Sequence, residues 1–209
     1  MNGRKLFIAV ALLLSAGDGH AQFGSQVLDT PVTDVDYSDR TTNILKALAQ
    51  KYHVVIGASG ILTGADNEIV RISIAKGSLK DVFQQLVEKD PRFEWHQTQD
   101  GSIDFRLRGK PLPLVDVNIG VFDIDNPQRS DFPNFLVQAT EIKAWQSDHH
   151  CLIQELIIGR IPANWGHFSL HIRNQPFGTA MNQIASKSGS YFWSAIQYES
   201  DPCSINVTP

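Results

Sequence analysis

Two stretches of this 209-residue chain carry the same pattern of apolar positions, and that repetition restricts the architectures open to it. Sliding the chain by 98 residues lays Arg71–His96 on Ser169–Ser194 without a gap. Ile72 and Ile74, which alternate with polar neighbours as a half-buried strand requires, fall on Leu170 and Ile172. The stripe Leu79, Val82, Phe83, Leu86 and Val87 falls on Phe177, Ala180, Met181, Ile184 and Ala185, one helical face in each copy. Phe93 and Trp95 fall on Tyr191 and Trp193, and Ile103 and Phe105 on Ile205 and Val207 after a longer turn. Identities are few (Ile74/Ile172, Gln85/Gln183, Lys89/Lys187, Trp95/Trp193), so the register of buried positions recurs rather than the residues.

Each half adds a strand, a helix and a strand ahead of this unit. In the first, Ser38 to Thr42 offers helix caps, and Ile44, Leu45, Leu48 and Ala49 share one helical face. Val54–Ile56 reads as a short strand and Gly57–Asn67 as a turn-rich connection. Ser78 with Asp81 three residues on has the form of a capping box, and Asp100-Gly101 marks a hairpin turn. In the second half Val115, Val117, Ile119 and Val121 alternate as a strand. A helix starting at Ser130 or Asp131, with Pro133 in its first turn, carries Phe135, Leu136, Ala139, Ile142 and Trp145 towards the apolar stretch Leu152–Ile158. The Pro-rich Gly109–Pro113 is the candidate linker. The expected fold is therefore α+β: two tandem β-α-β-β-α-β-β modules, residues 31–109 and 110–209, each with two helices on small mixed sheets.

The first residues are set apart. Arg4-Lys5, the apolar run Leu6–Leu14 and the small residues up to Ala21 have the form of a signal peptide cleaved after Ala21, leaving a short segment 22–30 ahead of the modules. The apolar run is shorter than the roughly 20 residues a membrane span needs, and no later stretch resembles a span. The expected location is the periplasm or the exterior. With a net charge of −4, which losing the leader makes one unit more negative, the chain lacks the excess of Lys and Arg that nucleic acid demands.

The run Asp39–Gln50, then Val54–Ile56, then Val70–Leu86 resembles the secretin and TonB short N-terminal domain, in which a strand leads to a helix of the "L-x-x-L-A" type and a "V-x-I-x-I" strand precedes the second helix. Asn174–Ala180 fits the same strand-to-helix junction in the second half. The resemblance covers most of 31–107 closely and 114–208 more loosely, because Gly159–Gly166 is unusual. It implies two tandem non-catalytic recognition modules, without a following pore or barrel, that dock against other envelope proteins in secretion, transport or signalling. It brings no catalytic residue and no cofactor.

Other constellations were weighed beside it. His149, His150 and Cys151 are adjacent, and His167 and His171 share a strand face, which keeps a metal-dependent hydrolase as an alternative. A structural subunit of an envelope assembly is another. Asp34/Asp36 and Asp123/Asp125 are spaced to share a strand face, where paired carboxylates do acid–base work or, more commonly, solvate an edge. No nucleophile elbow, phosphate loop or dinucleotide fingerprint occurs, and the chain reads as a non-enzyme with no metal or cofactor. Cys151 and Cys203 are the only thiols and form the candidate disulfide, with two separate thiols as the alternative. Alternation turns Phe192 away from Trp193, which makes Phe192 the candidate for an exposed or inter-module contact.

Overall fold

The computed structural model describes residues 27–63, 68–127, 139–155, 167–199 and 203–208. The expected leader with its cleavage site and the expected helix start at Ser130 or Asp131 lie outside the described residues. The first half runs β1 (Pro31–Asp39), α1 (Thr41–Tyr52), β2 (Ile56–Leu62), β3 (Val70–Ser78), α2 (Leu79–Lys89), β4 (Phe93–Gln97) and β5 (Ile103–Leu107). A 3-10 turn over Pro113–Asp116 leads to β6 (Asn118–Asp125), α3 (Thr140–His149), β7 (Cys151–Glu155), β8 (Ser169–Pro176), α4 (Phe177–Ser188), β9 (Phe192–Tyr198) and β10 (Cys203–Thr208). The chain is α+β, with mixed sheets.

The local signals act as their chemistry dictates. Ser78 Oγ accepts the Asp81 N–H while the Asp81 carboxylate accepts from the Ser78 N–H, a closed capping box that starts α2. At the head of α1 the Asp39 carboxylate accepts from the Arg40 N–H and the Asn43 amide instead, and these bonds hold its pKa below the ordinary value. Helices α1 and α3 end on His53 and His150, both left-handed with φ of 52° and 51°. This pair reveals a second register. At an offset of 97 residues, Lys46, Ala47, His53 and Ile56 meet Lys143, Ala144, His150 and Ile153.

Strand pairing repeats as well. β1 pairs antiparallel with β3, and β6 with β8, as two-stranded ribbons. β4–β5–β2 and β9–β10–β7 each join an antiparallel pair to a parallel neighbour. The two trios then merge, because β2 pairs parallel with β9 over Ile56–Leu62 and Phe192–Tyr198. The result is one six-stranded sheet, β4-β5-β2-β9-β10-β7. Ile56, Ala58 and Leu62 of β2 enter the core of the first half, while Val55 and Ile61 pack on that of the second. The helices of the first half thus cover one face of the shared sheet, and those of the second half cover the other.

Four expectations change. Gly57–Gly60 is central strand, not turn. It carries glycine because a Cβ on Gly57 would lie 2.5 Å from the Trp193 indole on the neighbouring strand. Val115 sits in the 3-10 turn set by Pro113, and the strand begins at Asn118. Ala139 is the N-cap of α3 and not part of the helix. Finally, if Ile103 and Phe105 match Ile205 and Val207, sheet pairing puts Ala195, not Trp193, at the rung of Trp95. Trp193 then takes the rung of the buried Phe93.

Candidate functional site

The joint between the halves is the most elaborated feature. Trp193, 1% exposed, lies over Gly57, meets the Phe177 ring edge-on at 6.4 Å, and donates its indole N–H to Asn182 Oδ1 at 2.6 Å. Asn182 in turn donates to Asp100 Oδ2, across the halves, at 3.4 Å. Burial pushes the Asp100 carboxyl up, but hydrogen bonds from Thr98, Ser102 and Asn182 outweigh it and hold the pKa below the ordinary value. Backbone bonds also cross the joint. The Ile56 N–H donates to the Tyr191 carbonyl at 2.9 Å and the Glu199 N–H to the Leu62 carbonyl at 3.1 Å, with a Lys110–Glu199 ion pair at 2.6 Å beside them. The His53 and Tyr191 rings meet at 5.0 Å.

Phe192 does point away from Trp193, yet it is no free surface. It is 4% exposed and sits with Ile196 in the core of the first half, where α1 packs on β9. Alternation alone could not reveal this, because the strand that brings the covering helix is β2, which reads as a turn. Cys151 and Cys203 are bonded, with Cα atoms 4.6 Å apart on neighbouring parallel strands. The bridge ties β7 to β10 and closes a loop of 52 residues, a constraint on the unfolded chain worth about 4 kcal/mol in the entropic model.

The histidines do not gather. His149 stacks on Trp145 at 4.3 Å, His150 caps α3, and Cys151, the first residue of β7, is committed to its disulfide. His171 and Arg173 both reach Asp123 across the β6–β8 ribbon, at 2.8 and 2.6 Å. Those two hydrogen bonds hold the Asp123 pKa below the ordinary value. Asp36 lies 3.9 Å from Arg71 in an exposed pair, and Asp34 and Asp125 are exposed. Among the described residues no three metal-binding side chains form a group.

The two ends of the sheet complete the site. β4 and β7 each have a strand neighbour on one side alone among the described residues, which leaves backbone N–H and C=O groups able to template another strand. On β7, Leu152 is 57% exposed. A groove of about 500 Å³ runs between that strand and α3, lined by Lys143, Gln146, Ser147, His150, Cys151 and Leu152. In it the Gln146 amide nitrogen is buried without a hydrogen-bond partner among the described residues. What this arrangement can do is receive an extended segment. Among the described residues no helix is long and apolar enough to cross a membrane. No family model matches the chain, and no curated protein matches it either.

Proposed function

We propose that the chain is an exported, non-catalytic recognition module of the cell envelope, of the secretin and TonB short N-terminal type, that docks partner proteins by strand addition to its sheet. Each half packs two helices on a two-stranded ribbon and on three strands of the shared sheet, which supports the resemblance read from Asp39–Leu86 and Asn174–Ala180. The observation that carries the reading is the pair of sheet edges, β4 and β7, that have no strand beyond them among the described residues. The leader 1–21 supports export to the periplasm. The second reading, a structural subunit of an envelope assembly, is favoured by one fact: the two ends of the sheet repeat the strands that already meet inside the chain.

A photo-crosslinking residue placed at Leu152 on β7, at His96 on β4, and at exposed Val121 on β6 tests the docking mode in intact cells. Adducts with another envelope protein or with a second copy of the chain are expected at Leu152 or His96 and not at Val121. Adducts at Val121 alone, or none at any position, would remove the edges from the account.

A further inference from the structure

We infer that the partner strand at the β7 edge is β4 of a second copy of this chain, so that copies join head to tail in one continuous sheet. The inference rests on the reading of the edges as docking surfaces, and it names their occupant.

In the order β4-β5-β2-β9-β10-β7, β9 is the counterpart of β4 and β7 the counterpart of β2. The internal joint, β2 against β9, is therefore the meeting of a "β2-type" edge with a "β4-type" edge. The second half follows the first with strand order kept, strand direction reversed and the helix-bearing face exchanged. That operation is a half-turn about an axis across the strands combined with a step along the sheet. Applied once more, it returns the original orientation and sets β4 of a second copy parallel to β7, as β9 is to β2. The contact is heterologous, so repetition gives a ring or an open filament.

The side chains at the two edges fit this placement. Across the internal joint, even-numbered Phe192 and Ile196 pass beneath α1, in the buried cluster that also holds Ala49. By the rung match that sets Trp193 at Phe93, the positions on β4 that correspond to Ser194 and Ile196 of this face are Glu94 and His96, both exposed and turned away from their own helices. The counterpart of α1 is α3, where the offset of 97 puts Lys143 at Lys46 and Gln146 at Ala49. A β4 strand docked on β7 thus brings a carboxylate and an imidazole to a groove that offers an exposed ammonium and the unpartnered Gln146 amide. On the opposite face, Val55, just ahead of β2, is half-buried beside Asn182 and Ser186 of the second half's α4, and its counterpart at the offset of 97 is the exposed Leu152. In the joined form Leu152 meets the α2 side of the second copy. The internal joint is apolar and permanent. The external one is its polar version, built for reversible, salt-dependent association.

Sedimentation velocity over a range of protein concentrations and salt tests it, with a charge swap. Wild type should show a weight-average mass that rises with concentration and falls with salt. Glu94→Lys or Lys143→Glu alone sets like charges together and should weaken association by about tenfold or more. An equimolar mixture of the two variants restores opposite charges at each junction and should recover it. Both positions are exposed, and matching melting curves would show that each variant folds. Wild type that stays monomeric at every concentration, or a mixture no more associated than either variant, overturns the inference. Heterologous crosslinks at Leu152 in a chain that stays monomeric would overturn it while leaving the docking reading intact.

Discussion

Truncating Trp193 to alanine should lower the unfolding free energy by about 3–5 kcal/mol, the cost of emptying a large core site. Trp95→Ala should cost clearly less. The two tryptophans align in sequence at the offset of 98, though not by sheet rung, and Trp95 is half-buried at the end of the sheet, packed on Phe83 with ring centres 5.6 Å apart. Trp193 sits at the centre of the sheet, closes over Gly57, and satisfies Asn182. Its loss leaves a cavity shared by both halves and a buried amide oxygen deprived of its donor. Urea denaturation of the two variants side by side measures the difference. Equal losses would mean that β9 is not buried between the halves.

The second large effect is expected at Asp90, the C-cap of α2. Its carboxylate is buried, accepts from the Thr41 hydroxyl at 2.5 Å, and is clasped by Arg92 through two bonds of 2.7 and 2.8 Å. One side chain thereby fixes the start of α1 to the end of α2. Removing a partner from such a pair costs about 3–5 kcal/mol. Asp90→Ala belongs at the low end, because Arg92 is partly exposed and keeps Glu68 at 3.5 Å. Burial pushes the Asp90 carboxyl up, but the hydrogen bonds from Arg92 and Thr41 and the Arg92 charge outweigh it, so the folded pKa lies below the ordinary value. The sign follows from that direction. Asp90 stabilises the fold fully above its unfolded pKa of about 3.9, and the contribution disappears as pH falls through the lower folded value. Denaturation midpoints taken down through that range should fall for wild type and fall less for Asp90→Asn. An unchanged acid slope in the variant would contradict the assignment.

Much of the fold was legible because apolar periodicity reports which face of an element is buried. The stripes of α2 and α4, the Ile72/Ile74 and Leu170/Ile172 strands, and the capping box at Ser78 stand as the residues imply. What escaped was β2. Gly57-Ala58-Ser59-Gly60 lacks the bulky residues of a strand, since its neighbour's indole occupies the space a side chain would take. Missing β2 hid the joint, and with it the burial of Phe192. The first part of the repeat also escaped. Its register is 97 rather than 98, and the paired left-handed histidines, His53 and His150, were the signal that could have found it. The edges carry no motif at all, because the backbone groups that make them sticky are common to every sequence.

The central claim is that β2 and β9 weld the two repeats into one sheet, and native-state hydrogen exchange tests it most directly. The Ile56 and Glu199 amides, which donate across the joint to Tyr191 and Leu62, should exchange only through large-scale unfolding, as slowly as core amides of β5. The exposed Gln99 and Asp100 amides of the β4–β5 turn supply the fast reference within the same spectrum. Exchange at Ile56 and Glu199 as fast as at that turn would contradict a shared sheet and return residues 57–67 to the loop that their composition suggests.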